Sequence, residues 1–187
     1  GGYSSSQQSN GVAKMVNGYN GLRNAILAIN PDATVTYAKG FTNSSTSASG
    51  LTTVDTTAVN NAANYDYVVV YVGTDSGTAR EDNDRTTLSL PGAQASLISQ
   101  VAAKNPNTIA YMETIGEVDV TPFEPAVSAM LWSSYNGMRK GEALADVVLG
   151  NYNPSGHLPF IWYPGNGSNT SVIPAITDYT LRPTGTL

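Results

Sequence analysis

The sequence predicts an α/β domain, a three-layer α/β/α sandwich around a mostly parallel central sheet. Three observations carry this. Strand-like and helix-like segments alternate, the run from Tyr67 to Val72 is apolar throughout, and Val12 to Ile29 repeats apolar residues at helical steps. Strands that alternate with helices join through right-handed crossovers into a parallel sheet covered on both faces.

Val12, Met15, Val16, Tyr19, Leu22, Ile26 and Ile29 lie along one face of a helix that stops before Asn30-Pro31. Thr34 to Ala38 reads as a short strand, and the Ser-, Thr- and Gly-rich residues 40–53 as a loop. Asp55 is suited to cap a small helix that carries Val59, Ala62 and Ala63 towards Tyr65. Tyr67 to Val72 has the unbroken apolar character of a strand buried on both sides. A loop through residue 90, a helix over about 92–104 and a strand over Thr108 to Met112 come next. After a break at Thr121 to Pro125, a strand over Ala129 to Trp132 and a helix over Gly141 to Leu149 complete the pattern. Residues 1–163 thus make the sandwich, and 164–187, rich in Pro, Gly, Thr and Asn, read as an irregular tail. In such sheets chemistry is sought at the carboxyl ends of strands, here the segments after Val72, Met112 and Trp132.

Composition excludes several functions. A chain of 187 residues buries enough surface to need no metal or disulfide staple. With no Cys, thiolate metal sites and a thiol nucleophile are impossible. A net charge of -5 opposes an electrostatic grip on nucleic acid. The longest purely apolar run, Tyr67 to Val72, is far shorter than the roughly 20 residues that span a bilayer, so no membrane partner is expected. Charged residues make up 12%, about half the usual share, which matches secreted carbohydrate-active proteins and leads us to expect export. Asn43-Ser44-Ser45, Asn166-Gly167-Ser168 and Asn169-Thr170-Ser171 fit the N-glycosylation pattern, or are exposed polar loops. The start at Gly1-Gly2-Tyr3 suggests a processed or excised chain.

The densest chemistry follows the valine-rich strand. Residues 73–85, GTDSGTAREDNDR, gather Asp75, Glu81, Asp82 and Asp84 with Arg80 and Arg85. Repulsion among neighbouring carboxylates can raise one pKa, which suits a general acid, while nearby arginines pull others down. Spacing alone leaves a second reading open, a solvated acidic loop in which Asp84 and Arg85 form a structural pair. A phosphate cradle is excluded by the absence of GxGxxG and of a Walker lysine. Asp75, Asp82 and Asp84 lack calcium-loop spacing, and we expect no metal and no cofactor.

Three stretches together resemble the C-terminal α/β-sandwich domain of glycoside hydrolase family 3, which includes β-glucosidases and β-xylosidases. YDYVVVYVGTDSGTAREDNDRTTLSLPGAQ (65–94) is similar to that family's strand, acidic loop, Asp-Arg pair and Leu-Pro-Gly-x-Gln helix start. NPNTIAYMETIGEVDV (105–120) resembles the next strand and turn, and MLWSSYNGMRKGEALADVVLGNYNPSGHLP (130–159) ends in the family's Asn-Pro-Ser-Gly-x-Leu-Pro.

The resemblance implies a retaining, exo-acting β-glycosidase that cleaves O-glycosidic bonds of plant-type oligosaccharides. Its nucleophile Asp belongs to an N-terminal barrel, and its acid/base Glu to a loop of this domain. That Glu, three positions before the Asp-Arg pair, falls on Glu81, and the pair on Asp84 and Arg85, structural residues near the site. The family often places glycine after the catalytic Glu, whereas here Asp82 follows; Asp75 is the fallback. Asp75, Arg80, Glu113 and Tyr135 are the candidate substrate contacts. Glu113 and Glu117 follow a strand, where they either face the cleft or serve as turn acids. Trp132 reads as core and Tyr135 as a sugar platform or core. His157 reads as a turn or packing residue, and Met130 and Met138 as core or near-core fillers. By the same resemblance a strand is missing at each end, so we expect half an active site, inactive alone, partnered by the barrel domain or a companion chain. A noncatalytic carbohydrate-binding or partner-binding α/β module is the alternative.

Overall fold

Val68–Gly73 (β1), Thr108–Glu113 (β2) and Ala129–Ser133 (β3) lie side by side as parallel strands in the order β1-β2-β3. The computed structural model describes residues 15–163. The register sets Gly73 beside Glu113 and Glu113 beside Ser133, so the three strands end level at their carboxyl edge. Side chains alternate across a strand. Val70, Val72, Ala110 and Met112 therefore enter one core with Leu97, Ile98 and Val101 of α3 (Gln94–Ala102) and Val59 of α2 (Thr56–Asn61). Phe123, Ile98 and Val118 in that core are fully buried. Asp55 caps α2 as its sequence position suggests, accepting from the N–H groups of Thr57 and Ala58.

The opposite face is covered differently. It presents Tyr71, Tyr111 and Glu113, and α1 (Gly18–Ile29) and α4 (Lys140–Val148) pack there. Where these helices start, their backbones touch. A Cβ on Gly21 would lie 2.0 Å from the Gly141 carbonyl oxygen, and one on Gly141 2.0 Å from the Asn17 carbonyl oxygen. Val16 donates its N–H to Met138 O (2.8 Å), and Gly141 donates to Val16 O (2.9 Å). The starts of the two helices are thus joined through main chain, with no room for a side chain at Gly21 or Gly141. The result is the sandwich that the alternation of segments predicts.

The structure departs from one expectation of the sequence and refines two others. No strand forms over 34–38 among the described residues: β1 pairs there with β2 alone, and an extended segment without a ladder partner is not a strand. It is tethered instead by Thr36, whose hydroxyl donates to Tyr65 OH (2.8 Å), and by Tyr37 against Tyr19. The apolar stripe of α1 is only the margin of its buried face. Gly18 and Gly21 are its fully buried residues, while Val16, Tyr19, Leu22 and Ile26 of the stripe are half-buried beside them and Ile29 is 69% exposed, because close approach selects residues without side chains. Met130, 36% exposed, lies beside the core rather than in it, since β3 ends the described sheet. The start of the expected first helix at Val12 and the expected tail 164–187 lie outside the described residues.

The glycine contact has a direct test. Gly21→Ala forces backbone apart and is expected to cost about 1–3 kcal/mol in denaturant unfolding. Arg23→Ala, on an exposed position of the same helix, should stay within about 0.5 kcal/mol of wild type.

Candidate functional site

The loop after β1 is positioned by a glutamine. Gln94, 4% exposed at the start of α3, accepts from the Gly73 N–H through Oε1 (2.8 Å) and donates to the Gly73 carbonyl through Nε2 (2.9 Å). One side-chain amide thus satisfies both backbone groups of the residue that ends β1. Gly92 makes this reach possible. Its φ of +64° suits glycine, and a Cβ there would sit 2.5 Å from Leu51 O and 2.6 Å from Ala48 O. The Leu-Pro-Gly-x-Gln stretch is therefore a device for fixing where the strand stops and the acidic loop starts.

Thr74 then gathers the loops of all three strands. Its hydroxyl accepts from the Ile115 N–H after β2 (2.9 Å) and shares a hydrogen bond with Tyr135 OH after β3 (3.0 Å). Asp75 turns the other way, accepting from the Ala48 N–H (2.6 Å) and from the N–H and hydroxyl of Thr78 (both 3.0 Å). Burial disfavours its ionised form, but the donors at Ala48, Thr78 and Gly77 outweigh this and hold its carboxyl below the usual range.

Beyond Ala79 the loop rises into a two-residue tip. Arg80 and Asn83 exchange both backbone hydrogen bonds at 3.0 Å, with Glu81 and Asp82 between them. Asp82 has φ +65°, and among the described residues it is the one non-glycine with positive φ. Negative φ at the first tip residue and positive φ at the second is the pattern of a type II turn, which prefers Gly or Asn second. Glu81 is exposed at this tip, as is Arg80, whose guanidinium donates to Ser76 O (3.1 Å). Arg85 closes the far side by donating to Glu117 O (2.6 Å). Ala79 and Asp84, flanking the tip, line a cavity of about 410 Å³ together with Arg85, Thr87 and Ile115.

Glu113 meets different company. Its oxygens accept from Lys140 Nζ (both 2.9 Å), and Tyr71 OH donates to Oε2. Both side chains of the ion pair are at most 17% exposed, so this pair joins β1, β2 and the start of α4. Tyr135 is 44% exposed, as a surface-facing platform requires. Trp132 packs edge-on to Phe160 and Trp162 and donates to Thr114 Oγ1 (2.8 Å), which makes it a wall of the core. Glu117 accepts from the Tyr163 N–H (3.1 Å) as a turn acid, and His157 lies in an exposed stretch. Asn43 uses its side chain within its own loop, accepting from the N–H groups of Thr52 and Thr53.

The strand ends therefore bring together Thr74, Ile115 and Tyr135, with Glu113 bound beneath them and Glu81 on the rim. Thr74, Gln94 and Lys140 escape sequence reasoning, because their partners are 21 to 61 positions away and no local spacing announces them. The one legible sign was glutamine two residues after the Pro-Gly.

The glycosyl hydrolase family 3 C-terminal domain model matches residues 1–184. The chain belongs to that family. Among curated relatives, a probable beta-D-xylosidase 6 from Arabidopsis thaliana is 42% identical over 110 residues, 57% of this chain and 14% of that protein. A probable exo-1,4-beta-xylosidase from Aspergillus fumigatus is 33% identical over 151 residues, 80% of this chain and 19% of the relative. Solved structures agree. A GH3 exo-beta-xylosidase bound to a xylobiose aziridine probe superposes with a TM-score of 0.66 at 28% identity, covering 92% of this chain and 22% of that one. The Bifidobacterium adolescentis GH3 beta-glucosidase gives 0.60 at 31% identity over 75% of this chain and 20% of its own. The chain thus spans about a fifth or less of the relatives' length and corresponds to the C-terminal domain of larger enzymes.

Two measurements test the polar framework of this domain. Lys140→Met strands a buried carboxylate and is expected to cost about 3–5 kcal/mol, with Glu113→Gln added to it restoring part of the loss. Asp75→Ala should cost about 1–3 kcal/mol at pH 7. Because folding lowers the Asp75 pKa, its contribution is complete above the unfolded value near 4 and is lost as pH falls through the folded value. Wild type and Asp75→Ala should therefore converge in stability below about pH 4.

Proposed function

We propose that this chain supplies the acid/base half of a retaining β-glycosidase active site, with Glu81 as the proton donor. The observation that carries the reading is the coincidence of two features. Family membership covers the chain, and Glu81, three positions before Asp84-Arg85, stands exposed at the tip of the loop leaving β1. A barrel-borne Asp attacks the anomeric carbon while Glu81 gives its proton to the bridging oxygen as the C–O bond breaks. The Glu81 carboxylate then takes a proton from the water that hydrolyses the glycosyl-enzyme. The two carboxyl groups need to stand about 5–5.5 Å apart in the assembled enzyme. An exposed carboxylate at a loop tip is suited to that, since the barrel brings the rest of the site. Asp75 is the weaker candidate, because its carboxyl is engaged by the Ala48 and Thr78 donors at the base of the loop.

Tyr135, Arg80 and the cavity edge at Asp84 and Arg85 are the proposed surroundings of the leaving group, while Glu113 is occupied by Lys140. Both curated relatives described above are named xylosidases, which favours β-D-xylosides over β-D-glucosides as substrates. Export from the cell, suggested by the low charge content, belongs to the same proposal.

Glu81→Gln in the complete enzyme tests the assignment. Hydrolysis of xylobiose is expected to slow about 10² to 10⁴-fold, while a dinitrophenyl xyloside, whose leaving group needs no proton, keeps its glycosylation rate. The alkaline limb of kcat/KM for xylobiose should vanish. Equal rates for wild type and variant on both substrates would assign the chain to a noncatalytic sugar-binding role.

A further inference from the structure

Asp82 occupies a left-handed backbone conformation that most L-residues disfavour. L-residues are rarely left-handed because Cβ crowds the carbonyl, and glycine, Asn and Asp are the usual exceptions. The reciprocal Arg80–Asn83 hydrogen bonds leave Glu81 and Asp82 as the whole tip. The conformation of the second tip residue thereby dictates the direction of the peptide plane that follows Glu81 and, with it, where that side chain departs from the loop. The base of the loop is held from two sides, by Asp75 on the Ala48 N–H and by Arg85 on Glu117 O. Variation in direction is thus confined to the tip.

We propose that Asp82 is a positioning residue for Glu81, acting through its left-handed backbone rather than through its charge. The inference rests on the reading of Glu81 as general acid/base. Residues that tolerate positive φ at position 82 keep the proton donor aimed at the bridging oxygen. β-Branched residues flip the tip and carry the carboxyl away, and a misplacement of about 1 Å is enough to cost on the order of 10²-fold in rate.

Asp82→Gly, Asp82→Asn and Asp82→Val in the complete enzyme provide the test, each assayed on xylobiose and on a dinitrophenyl xyloside, with thermal unfolding as the control for folding. In kcat/KM, which reports glycosylation, Gly and Asn should stay within about 3-fold of wild type on both substrates, whereas Val should lose about 10- to 100-fold on xylobiose alone. Asp82→Ala, intermediate in its tolerance of positive φ, should fall between them and replaces Val if the latter unfolds. Equal losses for Gly, Asn and Val would assign the effect to charge and overturn the proposal, as would a Val variant that matches wild type. A loss in kcat/KM shared equally by both substrates would also overturn it, because proton donation to the leaving group matters to xylobiose alone. Glu81→Gln run alongside separates the two readings. If it lacks leaving-group dependence the assignment of Glu81 fails, and the inference with it. If it shows that dependence while Val is silent, the role of Asp82 alone is refuted.

Discussion

The grip of Gln94 on Gly73 is the constraint on which the site depends. The last residue of a strand normally has a free N–H or carbonyl to satisfy, and burying either without a partner costs about 1–3 kcal/mol. Here a buried side-chain amide takes both, so β1 ends at a defined residue instead of fraying into its loop. Everything downstream inherits that endpoint. Gly73 lies so close to the Glu113 carbonyl that a Cβ would approach it to 2.4 Å, and the next residue, Thr74, is thereby delivered to Ile115 and Tyr135.

The two faces of the sheet solve different problems. The α2/α3 side is an apolar core of ordinary kind, built on Val70, Val72, Ala110, Met112, Leu97 and Ile98. The α1/α4 side combines a backbone-to-backbone helix contact with a charged pair under two tyrosines whose rings meet edge-on at 4.8 Å. Buried pairs add little net stability against apolar substitutes but penalise every arrangement that separates them. Glu113 and Lys140 therefore act chiefly to hold α4, and with it the loop after β3, in one register against β2. A rigid edge under an exposed loop is a suitable platform for a proton donor that has to meet a group on another domain.

Much of this was legible in the sequence, and the remainder was hidden for identifiable reasons. The valine run, the two later strands and the helices after them follow from periodicity and lie within two or three residues of their expected bounds. The segment 34–38 has strand-like composition, but strand formation is decided by a partner that composition does not reveal. Gly18 and Gly21 look like interruptions of an apolar helix face when they are its contact surface, because hydrophobicity does not register the value of having no side chain. The acidic loop was visible from its charge density. Its tip geometry was not, although the departure from glycine after Glu81 marked the position that carries the positive φ.

The central claim is that the loop leaving β1 carries the proton donor to within reach of a nucleophile located elsewhere in the complete enzyme. A crystal structure of that enzyme with its nucleophile covalently trapped by a xylose-derived cyclophellitol or aziridine probe tests this most directly. The account predicts the Glu81 carboxyl about 5–5.5 Å from the trapped carboxyl and on the opposite side of the anomeric carbon. A Glu81 carboxyl more than about 10 Å away, with a different acid in that place, would contradict it.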